Sequence, residues 1–152
     1  MGFLDLVQCL LNRIYLKFMD NDTKFNKLEK AILEWFIENY KDLNLTTQIK
    51  SAKLVKREWT KVGFYITLKV PRNLKPIDFS IFTNREFVVS SFGVKKNDIK
   101  KGFPIYGPKI ESDDIELGGD TLLWGENGYI DCIELVAFGS YFRENITSFK
   151  LK

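Results

Sequence analysis

The chain has 152 residues, of which 45% are hydrophobic and 14% aromatic, and this composition excludes a disordered polymer and predicts one ordered domain over residues 1–152. The net charge of +3 is small for a nucleic-acid-binding protein, and charges break every apolar stretch well short of the ~20 residues of a membrane span, so we expect a soluble cytoplasmic protein. The chain has no histidine, which excludes Ser–His and Cys–His nucleophiles and nearly every zinc site, so we expect no enzyme activity, metal or cofactor.

Two helices are predicted at the start of the chain. In residues 3–18, apolar residues recur at spacings of three and four, which places them on one face of a helix. A second helix of the same periodicity runs from a cap at Asn21 or Asp22 to about Lys41. Together they make a helical part, residues 1–42, which we expect to form a hairpin with its apolar stripe against a sheet.

Strands follow the helices. Residues 42–47 end the helical pattern, and β-branched and aromatic residues dominate the sheet part, residues 48–152. The individually predicted strands are Lys53–Trp59, Gly63–Val70, Phe79–Phe82, Glu86–Ser91 and Ile146–Leu151. Because the helices come first, the predicted class is α+β, an N-terminal helical hairpin packed on a mostly antiparallel, twisted β-sheet of about five to seven strands.

The most clearly patterned stretch is a hairpin that turns at Asn127-Gly128. Both residues tolerate positive φ and lie between apolar runs, as a tight primed turn requires. Uninterrupted alternation places on one face Leu122, Trp124, Tyr129, Ile133 and Leu135. The opposite face then carries Leu123, Ile130, Cys132, Val136 and Phe138. Since both faces are largely apolar, we expect the hairpin in the middle of a sheet that is covered on both sides.

Charge is distributed unevenly along the chain. Residues 110–142 contain eight Asp or Glu and no Lys or Arg, and such a block attracts basic partners and repels nucleic acid. The predicted partner-binding surface has an acidic rim, with Trp124 as an aromatic anchor. The rim residues are Glu111, Asp113, Asp114, Glu116, Asp120 and Glu126. A rim that serves only solubility is the alternative interpretation.

Basic residues suggest a second function, nucleic-acid binding. They lie in the loop from Gly93 to Gly107, notably between Lys95 and Lys101, and at a second group of positions near aromatic residues that could stack on bases. That second group is Lys53, Lys56, Arg57 and Lys61. Lysines on an edge strand, where they discourage aggregation, are the alternative explanation. A structural or small-ligand-binding protein is a third hypothesis.

Two segments resemble a known group of proteins. Arg57–Thr67 reads Arg-Glu-aromatic-Thr-x-Val-Gly-Phe-aromatic, and Leu122–Leu151 combines the Asn-Gly turn with Ile133-Glu134, Phe138-Gly139 and a final Phe-x-Leu. Both segments resemble bacterial immunity proteins that are encoded beside contact-dependent growth inhibition or other polymorphic toxins. The resemblance implies a cytoplasmic protein that binds and neutralises a cognate toxin C-terminal domain. It transfers no functional residue, because the immunity interface differs from one toxin to the next.

Overall fold

The computed structural model describes residues 24–82, 104–139, 141–142 and 146–152. These residues form helices α1 (Lys27–Tyr40) and α2 (Leu43–Ser51), and a 3₁₀ helix at Phe79–Phe82. They also form seven strands, β1 (Lys53–Trp59), β2 (Gly63–Lys69), β3 (Ile105–Tyr106), β4 (Ile110–Ser112), β5 (Ile115–Glu126), β6 (Tyr129–Ala137) and β7 (Lys150–Leu151). The predicted α+β class is confirmed, with the described helices N-terminal to an antiparallel sheet.

The strands pair in the order β1-β2-β6-β5-β4-β7, and β3 pairs with β5 beside β4. The predicted hairpin is β5–β6, and it lies in the middle of the sheet as expected. Its turn residues Asn127 and Gly128 have φ angles of 53° and 85°, the left-handed values that the Asn-Gly pair predicts. The predicted closing strand is present but short, since only Lys150–Leu151 pairs, and its partner is β4.

The predicted division of this hairpin into two faces is wrong. Trp124 pairs with Cys132, whereas an uninterrupted two-residue hairpin would pair it with Asp131, so Asp131 is an extra residue on β6. A β-bulge of this kind moves every residue beyond it to the opposite face. As a result Leu123 lies opposite Ile133 on the buried face, and the Trp124–Cys132 pair lies on the other face.

The two faces of the hairpin differ in burial. Helix α1 covers the face of the hairpin that points toward it. Its Phe36 ring packs closely against the sheet beside Gly107. A Cβ atom added to Gly107 would lie 2.7 Å from the Phe36 ring and 2.2 Å from Thr121 Oγ1. Side chains on the opposite face are only half-buried, including Leu122, Trp124, Cys132, Glu134 and Val136. The expectation that both faces are fully covered therefore holds for the helical face only.

Helix α1 begins later than predicted, because Asn26 and not Asn21 or Asp22 caps it. Asn26 Oδ1 accepts the Glu29 N–H at 2.9 Å, and the Glu29 carboxylate accepts the Asn26 N–H at 2.8 Å. This reciprocal capping box satisfies two backbone donors that a helix N-terminus leaves free. The other predicted helix, residues 3–18, lies outside the described residues.

Helix α2 covers the predicted connection at residues 42–47 and continues into residues 48–51, so the predicted start of the sheet part at residue 48 is wrong. Asp42 caps it, accepting the Leu45 N–H on Oδ1 at 2.8 Å. Leu45 and Ile49, four residues apart, are buried on one helical face. The capping signal and the spacing of four were both in the sequence, but the segment was too short for its periodicity to outweigh the strand pattern that follows.

The remaining strand predictions have mixed outcomes. Strand β1 matches its predicted bounds, and β2 ends one residue before the predicted position. The predicted strand at Phe79–Phe82 is a 3₁₀ helix instead, and the Phe79 ring fills space that Gly125 leaves open. The pair Ile105–Tyr106 forms β3 within the predicted loop, and the predicted strand at Glu86–Ser91 lies outside the described residues.

Candidate protein-binding surface

Arg57, which the sequence placed in a basic footprint, is buried instead. Its Nε and Nη2 donate to the two carboxylate oxygens of Glu29 at 2.5 and 2.7 Å, and Nη2 also donates to the Lys24 carbonyl at 2.6 Å. The side chain faces the core because a bulge at Val55 shifts the register of β1, so that Arg57 pairs with the buried Ile66. Its role here is structural.

The other basic residues give no assembled nucleic-acid surface among the residues that the structure describes. Lys53, Lys56 and Lys61 are exposed around β1, and Lys56 Nζ is paired with Glu58 Oε1 at 3.0 Å. The run from Lys95 to Lys101 lies outside the described residues. Nucleic-acid binding therefore remains a sequence-based hypothesis without a described site.

Four of the predicted partner-binding residues come together at one end of the sheet. Glu111, Asp113, Asp114 and Glu116 all lie on the β4–β5 hairpin, whose turn is formed by Asp113 and Asp114. An open cleft of about 550 Å³ lies along this hairpin. Its lining includes Glu111, Asp113, Glu116, Leu117, Phe149 and Lys150. We call this region the acidic cleft.

Residues from the end of the chain stabilise the acidic cleft. The Ser112 hydroxyl donates to the Ser148 carbonyl at 2.7 Å and accepts the Asp114 N–H at 3.2 Å. Lys152 Nζ is 2.6 Å from Glu111 Oε1. Pairing of β7 thus brings Lys150 and the following Lys152 to an acidic block that has no basic residue of its own, and Lys152 offsets part of its charge.

The other three predicted residues lie elsewhere on β5. Asp120 and Trp124 are half-buried on the face that points away from α1, and Glu126 is exposed at the hairpin end of the strand. At about 3.3 Å per residue, Glu126 lies at most roughly 33 Å from Glu116 along β5. The seven residues therefore form a cleft cluster, a mid-strand pair and a distant carboxylate, and not one continuous rim.

Trp124 is neither a core residue nor a free aromatic side chain. Its indole Nε1 donates to Glu134 Oε2 at 2.9 Å. Tyr65 lies opposite Glu134 across β2 and β6, and its hydrogen bond to that carboxylate, followed by the negative charge itself, raises the pKa of Tyr65. Glu134 thereby holds two aromatic side chains on the sheet face opposite α1.

The one described cysteine belongs to the same face. Burial, and then the nearby Asp131 carboxylate, raise the pKa of Cys132 to about 11. A thiol with this pKa stays protonated at neutral pH and is a poor nucleophile. Cys132 thus contributes packing and a weak hydrogen bond to the Ile133 carbonyl at 3.6 Å.

A group of exposed apolar residues at the acidic cleft is not predicted by the sequence pattern. Leu117, Phe138, Tyr141 and Val62 are 70%, 44%, 70% and 48% exposed. Uninterrupted alternation predicts Phe138 on a covered face. The extra residue Asp131 on β6 instead moves it to the face opposite α1, and the chain bends nearby at Gly118 and Gly139, which have φ angles of 75° and 74°. Glycines that flank apolar strand ends were the signal available in the sequence.

Comparisons with protein-family models, with curated proteins and with solved structures found no match to this chain. Among the described residues, no helix has the length and apolar character needed to cross a membrane. Within those same residues, His, Cys, Asp and Glu side chains form no group of three or more that could hold a metal ion. Surface shape and charge are thus the observations on which a function can be argued.

Proposed function

We propose that this chain is an immunity protein, which binds a cognate bacterial toxin domain, a nuclease, and covers its basic substrate-binding face. The observation that carries the proposal is the clustering of Glu111, Asp113, Asp114 and Glu116 on the β4–β5 hairpin. Nuclease surfaces that hold nucleic acid are positively charged because they neutralise phosphates. A carboxylate cluster on a protein is the electrostatic complement of such a surface.

The scaffold of the acidic cleft favours tight binding. Strand β4 pairs with β5 on one side and with β7 on the other, and Ser112 ties the turn to Ser148. A surface already held in its binding geometry loses little conformational entropy on association. This property suits an inhibitor that must act before the toxin reaches its substrate.

We expect the toxin domain to contact the end of the sheet that holds the acidic cleft, and not the whole acidic block. A standard interface buries about 800 Å² on each partner, which corresponds to roughly 16 Å in each direction from its centre. An interface centred on the acidic cleft would include Asp113 and Glu116 but would not reach Glu126. Glu126 would therefore have at most a long-range role in attracting a basic partner.

Charge reversal tests the proposal. The test variant carries Asp113→Lys, Asp114→Lys and Glu116→Lys, and the binding partner is a catalytically inactive form of the toxin domain encoded beside this gene. We expect the association rate at low salt to fall about ten-fold or more, because attraction across the interface becomes repulsion. Stopped-flow measurements between 20 and 300 mM salt should show the difference shrinking as screening increases.

The matched control reverses three exposed carboxylates outside the acidic cleft, Glu34→Lys, Glu38→Lys and Glu126→Lys. It changes the net charge by the same amount, so only a local effect separates the two variants. Its association rate should fall much less than that of the cleft variant. Equal association rates for the cleft variant and the wild type would show that the β4–β5 hairpin is not part of the interface. Failure of the wild type to protect toxin-expressing cells would refute the proposed function.

A further inference from the structure

Four exposed apolar residues lie on neighbouring backbone segments at the end of the sheet beside the acidic cleft, and one of them, Leu117, also lines that cleft. They are Val62, Leu117, Phe138 and Tyr141, which we call the apolar end patch. On monomeric proteins the largest exposed apolar patches, on the order of 300–600 Å², are often functional. Each of these side chains comes from a different turn or strand end, so the patch exists only in the folded protein.

Backbone hydrogen bonds hold the β5 and β6 members of the patch together. The Leu117 N–H donates to the Phe138 carbonyl at 3.3 Å, and the Phe138 N–H donates to the Gly118 carbonyl at 2.9 Å. The Leu117 side chain lies over Gly139, where an added Cβ would come within 2.8 Å of Leu117 Cδ1. Gly118 and Gly139 both have positive φ, so the bends that expose the patch require glycine.

The other two members are fixed by the β1–β2 turn. The Val62 carbonyl accepts the Ala137 N–H at 2.6 Å, and the Lys61 carbonyl accepts the Phe142 N–H at 3.1 Å. Phe142 is buried and packs edge-on against Phe64, with ring centroids 5.4 Å apart. Tyr141 therefore extends into solvent from a segment whose next residue is held in the core.

The charged residues around the patch indicate the chemistry of its partner. Glu116 precedes Leu117 and is exposed, Asp120 lies three residues further along β5, and Asp113 lies in the adjoining turn. Among the described residues, the nearby cations are Lys61, next to Val62, and Lys150, which lines the acidic cleft together with Leu117. An apolar centre with carboxylates on one flank complements an apolar side chain that projects from a basic surface.

We infer that the apolar end patch is the anchor of the interface and receives an apolar or aromatic side chain from a basic surface of the toxin domain. The inference rests on the proposed function and adds that the acidic cleft and the apolar end patch have different roles in binding. Carboxylates of the acidic cleft set the rate of encounter, whereas desolvation of the patch sets the lifetime of the complex, since affinity differences within one interface lie mostly in dissociation rates.

Truncation of side chains in the apolar end patch tests whether the two regions have these different roles. Leu117→Ser and Tyr141→Ser are measured separately against the inactive toxin domain. Each should raise the dissociation rate about ten-fold or more, the effect expected for a central contact, while the association rate and its salt dependence stay within about two-fold, because no charge changes. Leu117→Met keeps the apolar contact and should restore the slow dissociation of the wild type.

The matched controls are Leu43→Ser and Ile81→Ser, which truncate other exposed apolar residues, 79% and 58% exposed, away from the β4–β5 hairpin. Their dissociation rates should stay within about two-fold of the wild type, since residues outside an interface contribute little to it. Wild-type dissociation rates in both patch variants would overturn the anchor and leave the proposed function intact. Absence of binding by the wild-type protein would overturn both proposals.

Discussion

Two carboxylate–cation pairs in this protein have the same chemistry and opposite surroundings. The Glu29 and Arg57 side chains are 3% and 4% exposed and lie between α1 and the sheet. The Glu111 and Lys152 side chains are 49% and 64% exposed and lie at the edge of the acidic cleft. In the first pair every charge is enclosed by protein, whereas in the second water solvates both groups.

The difference shows that burial, and not charge alone, decides what an ionic residue does. Buried charges lose hydration that only well-placed partners can replace, so Glu29 and Arg57 hold each other and the surrounding backbone in one geometry. Exposed charges interact weakly with their neighbours but remain accessible to a partner protein. The first pair thus stabilises the fold, and the second lies on the surface that is proposed to bind the partner.

Removal of the buried carboxylate should have the largest effect on stability. Glu29→Gln leaves the Arg57 guanidinium buried without a counter-charge and should lower the free energy of unfolding by about 3–5 kcal/mol, as measured by urea denaturation. The double variant Glu29→Leu with Arg57→Met should regain much of that loss, because no unpaired charge remains. A loss below about 1 kcal/mol in Glu29→Gln would show that water reaches this pair.

Substitution of an uncharged buried residue, Gln48, should have the second-largest effect on stability. Gln48 is fully buried, and its Nε2 donates at 3.0 Å to the Lys75 and Gly128 carbonyls while Oε1 accepts the Ile130 N–H at 3.0 Å. Gln48→Leu deprives the β5–β6 turn of these bonds and should cost about 1–3 kcal/mol in urea denaturation. Lys50→Leu, at an exposed position of the same helix, is the control and should change the stability by less than about 0.5 kcal/mol.

The exposed pair should show the smallest effect. Lys152→Met removes the cation from Glu111 and should change the free energy of unfolding by less than about 1 kcal/mol, because both groups are well hydrated. The same variant makes the acidic cleft more negative, so it should speed association with a basic toxin domain at low salt. A stability loss comparable to that of Glu29→Gln would contradict the contrast between the two pairs.

Much of the architecture could be predicted from local patterns. Strand β1, the Asn127-Gly128 turn and the order of helices before strands follow from periodicity and turn chemistry, which depend on residues close together in the chain. The 3₁₀ helix at Phe79–Phe82 could not be predicted in this way. Its Phe79 ring packs beside Gly125, a residue of a strand that is distant in the chain.

The candidate surface was predicted only in part. The acidic character of the β4–β5 hairpin is visible in the sequence, because its carboxylates are neighbours along the chain. The apolar end patch is not visible, since Val62 lies near Leu117 only after β2 and β5 have both paired with β6. The neutralisation of Glu111 by Lys152 likewise depends on pairing between β4 and β7.

The sequence by itself determined the class of fold, the position of the central hairpin and the segregation of charge. Tertiary structure alone decided which residues of β6 share the buried face with Leu123, since the extra residue Asp131 reverses the alternation along β6. It also decided that Arg57 is buried. The physical reason is that periodicity is a property of neighbouring residues, whereas strand register and burial depend on contacts between residues far apart in the chain.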